Sequence, residues 1–376
     1  DLVDTFSHGF NRVSTSGASQ LGTAVVLDDL IASNGDVVLR VSTGNIVLND
    51  GDGANGKAVQ AGGSGRVFLT ASSGAVQVRS DVLTVTGSIT IDASGNITVG
   101  EVGAAGVDVK ASGAGDIFLL ASGATSTVTM AADGKVSTNG GNVRLSGKAG
   151  IDLGDVTASK IDLVASSGGV SWVAGQLSAS QLRIEANNFV GTAQKTLQST
   201  TGRLAVVLGA ADASGFYLNN TGDLIVADVT VAVSRAQLDA TTSNTTLSNS
   251  TTDFTVSGAS AGPVTLQTSG SLNFQDGTDN DKVSFSSAGT GLVQLISTTG
   301  SMALDAGVLV VNGLSASGDL VLQAQGAITG GPDAVLTDVQ AKNLTLISSN
   351  DGVASLTNVL RAKVDSLTAN TKNSIY

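Results

Sequence analysis

One short phrase recurs along most of the chain: Gly, any residue, an aliphatic, any residue, an aliphatic. It reads GDVVL at 35–39, GNIVL at 44–48, GRVFL at 65–69, GAVQV at 74–78, GSITI at 87–91 and GNITV at 95–99. It continues as GDIFL (115–119), GNVRL (141–145), GDLIV (222–226), GPVTL (262–266), GSLNF (270–274), GLVQL (291–295), GSMAL (300–304) and GDLVL (318–322). Paired phrases start eight or nine residues apart, and pairs recur every ~22 to 33 residues. Between pairs lies a third, less regular aliphatic stretch, such as VLTV (82–85), VDVK (107–110), KIDLV (160–164), QLRIE (181–185) and NLTLI (343–347).

Alternation with a period of two places successive side chains on opposite faces of a strand. Helical spacing fails, because Gly interrupts every few residues and β-branched residues fill the gaps. Short strands at this density build either a sandwich or a solenoid. Hairpin-linked sandwich strands have no reason to keep one register through the whole chain, whereas a solenoid must. One turn cannot bury its inner face alone, but stacked turns can. The expected fold class is therefore all-β: a right-handed parallel β-helix of about three short strands per turn. About fourteen turns at ~4.8 Å would make a rod of roughly 65 Å. Gly, Ser, Asn and Asp before each strand supply the corners.

The grammar blurs in four places. Residues 1–34 fit the repeat badly and are expected to form an irregular N-terminal cap or junction. The shaft runs over 35–356, with polar, irregular stretches at 187–200 (NNFVGTAQKTLQST) and 239–252 (DATTSNTTLSNSTT) that are either loops leaving the rod or distorted turns. Residues 357–376 are a last turn or a junction to a following segment. The chain begins DLVDTF without Met or an apolar leader, which suggests a mature or excised piece of something longer.

Composition removes several function classes. Net charge is −12 and no basic tract occurs, which disfavours nucleic acid, whose phosphates require cationic side chains. A polybasic membrane anchor is disfavoured for the same reason. No run approaches the ~20 apolar residues of a membrane helix. Cys is absent, so there is no disulfide, thiolate metal site or Cys nucleophile. Charged residues are only 13% and mean hydropathy is +0.26, so the Gly, Ser and Thr do not imply disorder.

GNVRLSGKAGIDLGDVTASKIDLVASSGGV (141–170), GSITIDASGNITVGEV (87–102) and GDLVLQAQGAITG (318–330) resemble the repeats of filamentous-haemagglutinin-like exoproteins, large bacterial surface adhesins. The resemblance covers about residues 35–356 and is one of repeat grammar. It implies a right-handed parallel β-helix shaft, display outside the cell, and attachment to cells, matrix polysaccharide or other bacteria. That family's N-terminal secretion domain carries Asn-Pro motifs, and this chain has only Pro263 and Pro332. An internal shaft segment, or a relative using a different export route, is the expectation.

Few residues suggest reaction chemistry. His8 is the only His, in FSHGF, and no triad can be read around it. Asp28–Asp29 are adjacent acids, and Glu101 and Glu185 are the only Glu. No clustered carboxylate pair of the kind a glycosidase needs stands out, so no catalytic residues are expected and the chain is read as not an enzyme. Most Asp look like turn residues bonding nearby backbone. Two acidic clusters differ: NDGDGANG with Asp50, Asp52 and Asn55, and DGTDNDK with Asp276, Asp279 and Asp281. Hard cations such as calcium take several oxygens from a short loop, so calcium is the only cofactor either could hold. Neither has EF-hand spacing. Trp172, Phe216–Tyr217 and Phe274 could stack on sugar rings, although filling core corners is the commoner use.

The leading expectation is a non-catalytic stalk segment of a secreted or surface-displayed adhesin. Its partners would be other segments of a larger surface protein, exopolysaccharide, or host and bacterial surfaces, without nucleic acid or membrane insertion. The alternatives are a carbohydrate-binding β-helix using the loops at 187–200 or 239–252, a cell-envelope lattice or filament subunit, and, furthest behind, a polysaccharide lyase or hydrolase.

Overall fold

Each Gly-led phrase forms a strand whose inner residues are mostly buried, while its outer residues range from exposed, as Val38, to buried, as Phe68, Phe118 and Arg144. Ile97–Val99 and Val76–Val78 are three-residue examples with both aliphatics fully buried. In this computed structural model residues 9–13, 19–23, 29–50, 55–101, 106–209, 215–237, 239, 242–243, 248–258, 262–312, 315–332, 337–355 and 358–375 are described. Among them the protein is all-β, with no helix.

The strands pair mostly parallel, each with its equivalent one repeat earlier and one repeat later. One inner column of residues runs Ile46, Val76, Ile97, Val128, Ile151, Val170, Val190, Phe216, Val264, Val293, Leu320, Leu344 and Leu367, each paired with the next. A second runs from Val37 through Val67, Ile89, Ile117, Val143, Ile161 and Leu182 to Leu204. All of these except Leu367, which is exposed at the end of its column, stack into one continuous core. Burying each such side chain contributes about 1.5–3 kcal/mol. The parallel arrangement normally needs a crossover connection, and here one repeat of chain supplies it.

A third column changes character. It starts as Val59, Val82, Val109, Val136, Val156 and Leu177, then continues as Ser199, Asn220, Thr268, Ser297, Ala324 and Ser348. The polar members are buried and hydrogen-bonded. Asn220 Oδ1 accepts from Ser199 Oγ (2.9 Å) and Thr201 N (2.8 Å), while its Nδ2 donates to Thr201 O and Thr268 Oγ1. That fills the amide's ordinary capacity, so the polar stretch leaves nothing unpaired.

The corners explain the residues that open each phrase. A Cβ on Gly115 would run into the carbonyl oxygen of Gly87, and one on Gly141 into that of Gly115; Gly65 and Gly87 stand likewise over the corners below them. Only glycine lets consecutive corners approach this closely. The Asp or Asn that follows reaches across turns. Asp36 Oδ1 accepts from Arg66 N (2.7 Å), Asn45 Oδ1 from Ala75 N (2.9 Å), Asp116 Oδ1 from Asn142 N (2.7 Å) and Asp223 Oδ1 from Ser271 N (2.7 Å). These acids therefore bond backbone one turn ahead, not the local backbone that sequence suggests. Corner hydroxyls work in the opposite direction: Thr138 Oγ1 donates to Gly115 O and Ser297 Oγ to Gly270 O.

The irregular stretches resolve differently from one another. Within 187–200, Val190 keeps its place in the inner column and Leu197 opens the strand Leu197–Leu208, so this is a distorted turn. Asn220 and Thr268, partners in successive turns, are 48 residues apart, and the extra chain is an insertion centred on 228–252. Its described part, which leaves out 238, 240–241 and 244–247, stays against the stack. It folds back on itself antiparallel, with Val229 opposite Thr251 and Arg235 opposite Ser243, and lies across earlier turns. Lys160 Nζ donates to Thr230 O, Arg144 Nη2 to Val231 O and Asn142 Nδ2 to Ala232 O; Ser234 N donates to Asp116 Oδ2 and Ala236 N to Thr90 Oγ1.

The face beneath is an outward column running Thr90, Phe118, Arg144, Asp162, Arg183 and Ala205. Val229, Val231 and Val233 cover Phe118 and Ala205 in a second apolar cluster. Asp162, fully buried, binds Arg144 Nε at 2.5 Å and Arg183 Nη1 at 2.8 Å, and accepts from Asn249 Nδ2 at 3.1 Å. Burial alone would lower the Arg183 pKa, but Asp162 and Glu185 outweigh it and raise it.

At the N-terminal side Gly9–Val13 and Ser19–Thr23 pair antiparallel, and Leu30–Ala32 joins the parallel stack. Ala362–Thr371 pairs in parallel register with Val339–Ser348, so residues 362–371 form a further turn.

Two stability predictions follow from these contacts. Gly115→Ala should cost about 1–3 kcal/mol in denaturant unfolding through overpacking, whereas Gly35→Ala, with open space around its Cβ position, should be near neutral. Asp162→Asn leaves buried guanidinium groups without their carboxylate and should cost about 3–5 kcal/mol. Limited proteolysis should then cut first within 228–252.

Candidate cation site

The DGTDNDK loop (276–282) is the corner between the strands Leu272–Phe274 and Val283–Ser287. Gly277 is its only glycine, and the loop turns partly through left-handed Asn280 (φ 58°) and Lys282 (φ 68°). Asn tolerates that region; Lys adopts it at a steric cost. Carboxylates hold the turn. Asp276 accepts from Lys282 N at 3.1 Å and pairs with Lys282 Nζ at 3.1 Å, and Asp281 Oδ1 accepts from Val283 N at 2.7 Å.

A fourth acid comes from the previous turn. Asp253 precedes the strand Phe254–Val256, whose Phe254 pairs with Phe285 beyond the acidic loop. Asp253 is only 9% exposed. Its Oδ2 accepts from Thr252 Oγ1, while its buried Oδ1 has no hydrogen-bond partner. Asp253, Asp279 and Asp281 each bring a carboxylate oxygen within 4.8 Å of the other two. Burial first, then the charge of Asp279, push the Asp253 carboxyl up to about 7; the Thr252 hydrogen bond opposes them, and Asp281 and Asp276 add smaller increases. Oxygen donors in a short exposed loop suit a hard cation.

Of the acids singled out in this loop, the structure thus brings together Asp279 and Asp281, while Asp276 is committed to Lys282. Asp253 carries no local sequence signal: in TTDF it reads as one more turn residue, and only the register between turns places it here. The other cluster does not assemble among the described residues. Asp50 Oδ2 accepts from Gly56 N at 3.1 Å, and Asn55 Nδ2 donates to Asp29 Oδ2 at 2.7 Å. Asp29 and Asp50 each keep a buried oxygen without a partner, but Asp28 and Asp52 lie outside the described residues, as does His8.

The remaining candidates have structural partners. Glu185 binds Arg183 at 2.5 Å and Glu101 lies 3.6 Å from Arg79. Phe216, Phe254, Phe285 and Phe274 are fully buried and stacked on one another, with successive ring centroids 4.6, 4.9 and 6.5 Å apart. Phe216 and Phe274 are therefore core, not sugar platforms. Trp172 packs against the core and donates Nε1–H to Gly175 O. A groove of about 480 Å³ crosses the outer face, floored by Gln77, Thr98, Thr129 and Asp152. Among the described residues no helix is long and apolar enough to cross a membrane.

The chain matches no protein-family model, no curated protein and no solved structure.

The raised Asp253 carboxyl gives a pH prediction for protein in chelating buffer. The unfolded carboxyl releases its proton near 3.8 and the folded one near 7, so between these values the folded state binds more protons. This group's contribution to stability must then fall as pH rises. Asp253→Asn abolishes that dependence. The difference in Tm between variant and parent should therefore move in the variant's favour from pH 4 to pH 8.

Proposed function

We propose that this chain is a non-catalytic structural segment of a surface-displayed bacterial adhesin, built as a right-handed parallel β-helix shaft with three short strands per turn. The observation that carries this reading is the unbroken parallel column from Ile46 to Leu367. A register kept through so many repeats makes a long, laterally stiff body, because every turn is held by hydrogen bonds to both neighbours. The resemblance of the repeat grammar to filamentous-haemagglutinin-like exoproteins supplies the biological setting: outside the cell, joined to further segments of a larger protein.

The other readings have less support. An enzyme of this build needs acids facing a cleft. Among the described residues both Glu are ion-paired, and Asp162 is sealed beneath the insertion. Carbohydrate recognition through 239–252 has less support: of this run Asn249 and Thr251 bond the stack, and residues 240–241 and 244–247 lie outside the described residues. The groove over Gln77, Thr98, Thr129 and Asp152 offers hydrogen bonds, but no aromatic ring lines it.

Small-angle scattering tests the shape and surface labelling tests the setting. The purified chain should give the profile of a rod with a stack of roughly 60 Å from about 4.8 Å per turn, and antibodies should label unpermeabilised cells of the source organism. A globular profile would reject the shaft; intracellular labelling alone would reject the adhesin.

A further inference from the structure

We infer that Asp253, Asp279 and Asp281 form a divalent-cation site of the calcium class, which ties the return of the 228–252 insertion to the corner loop of the next turn. The inference does not depend on the biological role of the shaft.

The first support is the convergence of three carboxylates from two different turns, with their oxygens within 4.8 Å of one another. Acids on one loop can gather simply because they are hydrated. Asp253 is not on that loop and is largely buried: it is 9% exposed, and one of its oxygens is buried without a partner. A buried carboxylate oxygen left unpaired is costly, and two further carboxylates each bring an oxygen within 4.8 Å of this carboxylate. The charges acting on Asp253 are those of Asp279, Asp281 and Asp276, all of one sign. Lys282, the cation of the loop, is turned to Asp276 instead. Among the described residues, therefore, no basic side chain pairs with the trio.

The setting of the oxygens chooses among ions. Calcium binds oxygen at about 2.4 Å in adaptable geometry, whereas magnesium requires about 2.1 Å and near-octahedral order. Carboxylates brought together from two separate turns have no octahedral plan imposed on them, which suits the more adaptable ion. Asp279 and Asp281 are exposed, so water completes the coordination. Asp281 keeps its hydrogen bond from Val283 N through Oδ1, which fixes the carboxylate and leaves its second oxygen for the ion. Such an ion bridges residue 253, at the root of the insertion, to residues 279 and 281 in the turn that follows.

The test is calcium titration of the full chain after chelator treatment and dialysis, by calorimetry and thermal unfolding. The expected result is saturable binding with a rise in Tm of several degrees at saturating calcium, since a ligand bound only by the folded state stabilises it. Asp279→Asn, at an exposed position, should weaken the affinity at least tenfold without altering the circular dichroism of the metal-free protein. Asp253→Asn should do the same, and Asp50→Asn should leave the titration unchanged. Absence of any calcium effect on the parent protein would overturn the site, as would a titration that Asp279→Asn leaves intact. A Tm rise of equal size with magnesium would overturn the calcium class. Should Asp253→Asn fail to fold, Asp279→Asn decides alone.

Discussion

The structure depends on parallel backbone pairing between successive turns of one chain. Inside a strand each N–H and C=O finds a partner one repeat away, so long stretches of small aliphatics are enough for a core. The pairing is interrupted where the chain bends, and the difficulty of the fold is concentrated there. Unpaired buried backbone groups are costly, and two devices answer this. Glycines such as Gly87, Gly115 and Gly141 let the bends nest, and the following Asp or Asn lends an oxygen to an N–H in the turn ahead. A phrase beginning Gly-Asp or Gly-Asn is thus a packing instruction between turns as much as a turn signal.

The same logic decides what happens when the outward face is not polar. In an uncovered strand the outward residue meets water, as Thr98 does. At Phe118, Arg144, Asp162 and Arg183 the outward positions are buried, because the insertion lies over them. Arg144 and Arg183 share Asp162, and Glu185 pairs the second guanidinium, so the charges of the covered face balance beneath a Val-, Ser- and Thr-rich flap. A buried ionic cluster adds little net stability compared with an apolar one, yet is costly to break. Its effect is to make this one docking position of the insertion strongly preferred over neighbouring registers.

Much of this was legible before any coordinates. The period-two phrases predicted the strands from Val37–Val41 to Asp319–Ala324, and their recurrence predicted pairing between equivalents over pairing between neighbours. What sequence could not carry was contact across long separations. Asp253 meets Asp279 and Asp281 through the register of Phe254 with Phe285. Arg235 meets Asp92 across 143 residues. The polar run at 239–252 looked like a loop in solvent because its Thr and Ser are turn-formers by composition; Val229, Val231 and Val233, which dock the insertion, precede it. The Phe at the second aliphatic-flanked position of GDIFL was the available clue, since it puts a large apolar side chain where the alternation calls for a polar one.

The two roots of the insertion are not equivalent, and the difference bears on how the fold is held. At the departing root Asp228 is engaged by Arg203, which binds both its carboxylate and its carbonyl oxygen. At the returning root Asp253 is equally committed by its backbone, whose carbonyl accepts from Val206 N, but its side chain has only the Thr252 hydroxyl as a donor and otherwise meets the charges of Asp279, Asp281 and Asp276. The aromatic cluster of Phe216, Phe254, Phe274 and Phe285 fills the stack beside it and excludes water from the inner side. A carboxylate in that position has two ways to shed its charge: take a proton, which the fold favours up to about pH 7, or share an ion with Asp279 and Asp281. Above that pH only the second remains. The anchoring of the insertion at this root is therefore governed by what the surrounding solution supplies, whereas the opposite root is anchored by the chain itself.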